Sequence, residues 1–306
     1  MAPVRGLEQG CVATIGAFDG LHLGHRRIID RVLAVAAERR LPALVISFDP
    51  TPKEFFSRGG SRPARLMRFR EKFETLQYLG VDVFFCPRFN AAMAAQEPDE
   101  FIDGLLIGLL NIKHIVVGDD FQFARQRSGT VADLHRRGKE AGFSVEQVGS
   151  VLESGQRVAS SVVRELLESG DCEGATALLG SRYRMSGRVV LGNQLGRKLG
   201  MPTANVMLKR SQSPVQGIFA VRVGGLREGW MDGVASIGTR PTIGGTEPLL
   251  EVHLFDFNRD IYGAHIQVEF VAKLRDEERF PDLDALKEQM FRDADLARSI
   301  LARPVA

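Results

Sequence analysis

Partway along the chain the spacing of apolar residues changes period, and this change constrains the fold more than any other feature of the 306 residues. Up to residues 180–184, continuous apolar runs alternate with helical repeats. Residues 12–15, 43–48, 81–85, 114–117 and 145–148 read as strands. Between them, 25–39, 69–79, 98–110 and 131–141 read as helices, with apolar positions such as Ile28, Ile29, Val32, Leu33 and Val35 at helical spacing. Strand runs without polar alternation, separated by helices, predict a parallel sheet covered on both faces. Two short helices, 161–168 and 172–179, close this part. From Tyr183 to Lys273 no long helical repeat occurs. Short β-rich segments at 188–191, 217–223, 230–237, 249–255 and 266–274 are separated by Gly, Pro and Asn clusters, the pattern of an antiparallel barrel or sandwich. A last helix is expected over 283–301. The reading is an α/β chain of two domains, 1–182 and 183–306.

Composition narrows the function classes. A chain 44% hydrophobic and 25% charged can build a packed core in each domain. A net charge of +2 is too weakly basic for a nucleic-acid partner, while small anions such as nucleotides fit. Cys11, Cys86 and Cys172 have no metal-ligand spacing and form no disulfide framework, which points to a reducing, cytoplasmic setting. No secretory leader and no run of 18 apolar residues is evident, so no membrane partner is expected, and the apolar stretch 101–112 reads as a core helix.

Two segments carry chemistry. The first, G-A-F-D-G-L-H-L-G-H at 16–25, lies between the first strand and the first helix. Ligands of open α/β sheets bind beyond the carboxyl ends of strands. A helix start offers N–H groups and a positive dipole end to phosphate, and glycines such as Gly16 and Gly24 let backbone approach the ligand. His22 and His25 add donors for a phosphate whose charge grows during attack. With no covalent nucleophile in view, nucleotidyl transfer with loss of pyrophosphate, carried by positioning, is the expected chemistry. The second segment spans 187–205, where Gly187, Gly192, Gly196 and Gly200 form a loop able to wrap polyphosphate with backbone N–H groups. It lacks the P-loop pattern. Thr203 and Asn205 are hard oxygen donors suited to Mg²⁺ carried by ATP. Taken alone, this segment reads equally well as a glycine-rich hairpin.

Both segments resemble signatures of the bacterial bifunctional riboflavin kinases/FMN adenylyltransferases, or FAD synthetases. The turn at 16–25 is similar to their G-x-F-D-G-x-H-x-G-H. F-D-P-T-P at 48–52 resembles F-x-P-H-P, with Thr51 in place of His. G-D-D-F-Q-F-A at 118–124 resembles G-x-[ND]-F-x-F-G, with Ala124 in place of Gly, and R-V-A-S-S-V-V-R at 157–164 resembles R-I-S-S-T-x-I-R, with Ala159 and Ser161 departing. The segment at 187–205 is similar to the riboflavin kinase signature. S-I-G-T-R-P-T at 236–242, with Ser236 for Asn, E-V-H-L at 251–254 and L-R-D-E at 274–277 follow in the family's order.

The resemblance implies a Rossmann-like nucleotidyltransferase domain followed by a β-barrel kinase domain with a C-terminal helix. It implies two reactions: riboflavin and ATP to FMN and ADP, then FMN and ATP to FAD and diphosphate. His22 and His25 would be catalytic in the first domain. Gly16, Phe18, Gly24, Arg157, Ser160 and Ser161 would bind ATP there, and Phe56, Asp120 and Phe123 the flavin. In the second domain Glu251 would be the general base, Gly187, Gly192 and Gly196 would bind ATP, Thr203 and Asn205 the metal, and Arg275 the flavin. Mg²⁺ is the implied cofactor, riboflavin, FMN and ATP the substrates, FMN and FAD the product ligands. His114, His135, His253 and His265 read as structural. The departures at Thr51, Ala124 and Ala159 leave one alternative, a riboflavin kinase with weak or lost adenylyltransferase activity. A flavin-sensing binding protein is a rival of another class, which intact Thr203, Asn205 and Glu251 disfavour.

Overall fold

The computed structural model describes residues 4–57, 62–192, 194–226, 228–242 and 245–303, without the side chains of 240–246. Asn193 and the side chains of the 240–242 motif therefore lie outside the described residues. Two compact units form: Met1–Pro63 with Phe69–Val158, and Ala64–Arg68 with Ala159–Ala306.

In the first unit the elements are β1 (Cys11–Ile15), α1 (Leu23–Arg39), β2 (Ala43–Ile46), α2 (Phe69–Tyr78), β3 (Val83–Phe85), β4 (Ile112–Gly118), α3 (Val131–Ala141) and β5 (Ser144–Val148). The strands make a parallel sheet in the order β3-β2-β1-β4-β5. Every residue of β1 is buried, and its alternation between two covered faces explains why all but Thr14 are apolar. Val12 packs with Val32, Val35 and Ala36 of α1, whereas Cys11, Ala13 and Ile15 join the opposite core with Ile102, Leu106 and Leu134. The segment expected to be one helix over 98–110 starts as an α-turn at Pro98–Phe101 and continues as a π-helix over Ile102–Leu109.

The second unit holds α4 (Ser160–Ser169), α5 (Cys172–Leu179), β6 (Arg184–Val190), β7 (Ala204–Met207), β8 (Gly217–Gly224), β9 (Met231–Thr242), β10 (Gly245–Leu254), β11 (His265–Arg275) and α6 (Leu283–Leu301). Between the two topologies left open by the sequence, the chain forms a closed barrel, in the order β8-β9-β10-β7-β6-β11. The period of two sorts its side chains. On β8, Phe219, Val221 and Val223 point inward, and Phe219 meets Phe270 edge-on at 5.2 Å. Ile218 and Ala220 face outward and pack with Ala294, Ala297 and Leu301 of α6. Strand β7 lies inside the glycine-rich segment that the sequence presents as a loop. Val206 of that strand is buried and paired to Leu250 on one side and Val189 on the other. The short segment Ala64–Arg68 belongs here too. Buried Arg210 donates to the Arg65 carbonyl at 2.5 Å, and the Tyr183 hydroxyl donates to Leu66 at 3.0 Å.

Candidate active sites

In the first unit β1 is flanked by β2 and β4, so the strand order reverses beside it. The crevice beyond the carboxyl ends of β1 and β4 is a topological switch point, the place where open α/β sheets bind ligands. The turn after β1 and the loop after β4 both open there. The turn is shaped by left-handed backbone at Phe18 (φ 46°), Gly20 (φ 88°) and Leu21 (φ 45°), and non-glycine residues in that region cluster at functional sites. The helix α1 starts at Leu23, two residues earlier than its apolar repeat indicates, because His22 caps it. The Nδ1 of His22 accepts from the backbone N–H of His25 at 3.3 Å. A Cβ on Gly24 would press on the His22 ring at 3.2 Å, so glycine there keeps the cap in place.

The two imidazoles lie stacked, centroids 3.7 Å apart at 16°, and His25 leans on Phe18 at 5.1 Å. Burial, then the neighbouring His22 and Lys72, push the His25 pKa well below its ordinary 6.5, so the ring is neutral at pH 7. Its buried Nδ1 has no hydrogen-bond partner among the described residues. A neutral imidazole carries its proton on one nitrogen only, and with that proton on Nε2 the ring is a donor there. Beneath the turn, buried Lys72 of α2 donates to the Ala17 carbonyl at 2.5 Å and to Ser47 Oγ at 3.2 Å. Sequence reasoning missed Lys72. It shares a helix face with buried Thr75 and Leu76, three and four residues on, and that spacing was the available signal.

At the end of β4, Arg157 bridges Asp120 at 2.7 Å and Asp119 at 3.4 Å. Hydrogen bonds from Ser150, with the charge of Arg157, hold Asp119 below the usual carboxylate range. Phe56 is 61% exposed and meets Phe55 and Phe89 edge-on, an aromatic surface open to a ligand ring. Two of the expected ligand residues are buried. Phe123 packs in the core against Phe101 and Phe121. Phe18 is 1% exposed, and its side chain packs on His25 and beside Gly16.

The three departures from the family pattern have local consequences. Thr51 caps the turn Pro52–Phe56 through a reciprocal box with Glu54. Ala124 sits at φ 63°, ψ −167°, a region open to glycine almost alone, so its methyl strains the loop. Ala159 begins α4 without a side-chain cap, immediately before Ser160 and Ser161.

In the second unit a cavity of about 730 Å³ lies against the outer barrel wall under α6, a volume within the range of ligand pockets. Leu199, Met201, Ile218, Val234 and Met290 make it apolar on one side, and Thr203, Ser236, Glu251 and His253 gather at its polar edge. Glu251 stands on β10 directly opposite Asn205 of β7 and Ser236 of β9. A second cavity, about 250 Å³, lies beside it with Arg197, Phe257 and Tyr262 in its wall. Thr203 lines both. A Cβ on Gly192 would fall on the Asn205 side-chain amide, and one on Gly196 on the Met201 carbonyl and near Thr203 Oγ1 at 3.2 Å. These two glycines therefore let the loop close over both oxygen donors. Gly187 does not share that role. It is buried inside β6, where a Cβ would meet Met207, and it lines neither cavity. Arg275 lines the large cavity, with its guanidinium committed bidentately to buried Asp293 at 2.7 and 3.0 Å. Asp293 escaped sequence reasoning, since nothing local marks it.

Comparison with known proteins agrees with this division. A family model described as FAD synthetase matches residues 5–162, and one described as riboflavin kinase matches 179–301. Proteins named bifunctional riboflavin kinase/FMN adenylyltransferase are similar: that of Escherichia coli K12 is 46% identical over 95% of this chain and 93% of its own length. That of Haemophilus influenzae is 44% identical over 98% and 99%. A solved structure described as a macrolide-efflux protein from Streptococcus pneumoniae superposes with a TM-score of 0.82 at 29% identity, covering 97% of this chain and 98% of that one. Among the described residues no helix is long and apolar enough to cross a membrane.

Proposed function

The chain belongs to the family of bifunctional riboflavin kinase/FMN adenylyltransferases, and from that premise we propose how its residues divide the two reactions. The enzyme converts riboflavin and ATP to FMN and ADP, and FMN and ATP to FAD and diphosphate. The observation that carries the assignment of the kinase step is Thr203, shared by a cavity of flavin size and a second, smaller one, with Glu251 lining the first. Riboflavin occupies the larger cavity with its ribityl chain toward Glu251, and ATP the smaller with its phosphates under the 187–205 loop. Glu251 takes the proton of the 5′-hydroxyl, whose oxygen attacks the γ-phosphorus as ADP leaves.

Thr203 and Asn205 fit Mg²⁺, which accepts few protein ligands and keeps phosphates and waters. Bound there with ATP, the ion supplies charge neutralisation, and these two residues orient the phosphates toward the flavin hydroxyl. Arg275 shapes the flavin cavity while Asp293 holds it.

In the first unit an FMN phosphate oxygen attacks the α-phosphorus of ATP and diphosphate leaves. His25 donates through Nε2 to the charge that grows on the phosphate, His22 holds the helix start against it, and Gly16 and Gly24 admit the nucleotide backbone. Arg157 grips phosphate and orients Asp120, and Phe56 offers a flavin-facing ring. For Ser160 and Ser161 the support is the family pattern. Cytoplasmic residence fits the buried thiols Cys11 and Cys172, whose pKa values burial pushes up to about 12 and about 11.

The test separates the sites. Glu251→Gln should abolish FMN formation and spare FMN-to-FAD conversion, and His25→Asn should do the reverse, both read by chromatography of the flavins. Equal loss of both steps in either variant overturns the division.

A further inference from the structure

His253 stands two residues after Glu251 on β10, so both side chains leave the barrel on its outer face and line the large cavity. The ladder between β10 and β7 ends at the pair Val252↔Ala204. Thr203 comes next, opposite His253, and one residue beyond it lies Pro202, which has no backbone N–H and cannot extend the ladder. There the side chain takes over: His253 Nδ1 lies 2.9 Å from the Pro202 carbonyl. A carbonyl only accepts, so Nδ1 carries the proton and donates. Phe255 meets the ring edge-on at 5.9 Å. Thr203 is thus held from both sides, by the last ladder pair at Ala204 and by the imidazole at Pro202.

We propose that His253 is a positioning residue for phosphoryl transfer, whose Nδ1–H tethers Pro202 to the strand bearing Glu251 and so fixes Thr203 relative to that carboxylate. This rests on the assignment of Glu251 and Thr203 above. Without the tether, the nearest restraint before Thr203 is buried Met201, two residues away, whose N–H donates to the Gly196 carbonyl at 2.8 Å, and the phosphate that Thr203 orients drifts from the flavin hydroxyl. Misplacement of about 1 Å costs on the order of 100-fold in rate.

The test uses the full-length protein carrying His253→Leu, which removes the donor, and His253→Asn, which presents an amide N–H near the position of Nδ1. Riboflavin phosphorylation is measured against Mg·ATP and riboflavin separately, riboflavin binding by fluorescence, and FMN adenylylation as the control for folding. Expected for His253→Leu is a 10- to 100-fold lower kcat/KM for Mg·ATP, unchanged adenylylation, and recovery to within about fivefold in His253→Asn. A combined Thr203→Ala, His253→Leu protein should be no slower than Thr203→Ala alone, since the tether acts through Thr203. A wild-type His253→Leu, no recovery in His253→Asn, or full additivity in the double variant overturns the proposal. If His253→Leu does not fold, the rate of His253→Asn relative to His253→Gln and the Thr203→Ala background with His253→Asn decide it: equal rates, or a loss in His253→Asn that adds to that of Thr203→Ala, overturn it. Glu251→Gln in parallel separates the two ideas. Retained kinase activity there removes the underlying assignment, whereas a dead Glu251→Gln beside a wild-type His253→Leu removes the tether alone.

Discussion

Gly192→Ala adds one methyl group and tests whether the 187–205 loop is closed over the oxygen donors of the kinase site. A Cβ at this position would lie 2.6 Å from Asn205 Oδ1, where ordinary contact begins at 3.4 Å. The backbone of Gly192 is not left-handed, so alanine introduces no strain of its own. Either the loop lifts or the Asn205 amide, whose Nδ2 and Cγ lie nearer still, retreats by about 1 Å, and a displacement near 1 Å in a positioned group costs up to about 100-fold. The expected loss in riboflavin phosphorylation is therefore roughly 30- to 100-fold, or about 2–3 kcal/mol of transition-state stabilisation. Initial rates of FMN formation at saturating riboflavin, over a range of Mg·ATP, measure it. FMN-to-FAD conversion by the same preparation should stay within twofold and reports that the chain is folded. A Gly192→Ala enzyme phosphorylating riboflavin within threefold of wild type would refute the reasoning, because Asn205 would then have no fixed place beneath the loop.

Three further outcomes follow from the first unit. Ala124→Gly should raise its stability by about 1 kcal/mol or more in urea titration, since the methyl occupies glycine-only backbone space; an unchanged midpoint would show that the loop holds no strain. Lys72→Met should cut FMN adenylylation at least tenfold, as the loss of a charged hydrogen bond worth about 1.5–3 kcal/mol frees the Ala17 carbonyl, with riboflavin phosphorylation unaffected; similar losses in both steps would count against a local role. The pKa of His25 lies well below 6.5 in the folded protein, so below pH 6.5 the unfolded chain takes up a proton that the folded chain refuses. Its contribution to stability is full above that pH and declines as pH falls toward the depressed value, by at most about 1.4 kcal/mol per pH unit. Urea titrations at pH 7.5 and 5.5 should show a smaller loss in His25→Asn than in wild type, and equal losses would mean that His25 is charged when folded.

What the sequence by itself determined were features set within a few residues. The apolar run of β2 and the mainly apolar stretches of β1 and β4 mark a sheet covered on both faces. The change of period marks the barrel, and the turn at 16–25 and the segment at 187–205 carry their chemistry in local spacing. Tertiary structure alone decided which of these residues work together. Phe123, beside a signature Asp, goes to the core, and Gly187 opens the glycine-rich segment yet serves barrel packing. The strand β7 is hidden in that segment because its partners β6 and β10 supply the pairing, not its own weak pattern. Lys72 reaches Ala17 across 55 positions, Asp293 reaches Arg275 across 18, and His253 reaches Pro202 across 51. A period or a turn is a property of neighbours along the chain, whereas a buried lysine or a tethering imidazole acquires its role only when packing brings a distant carbonyl within hydrogen-bond reach.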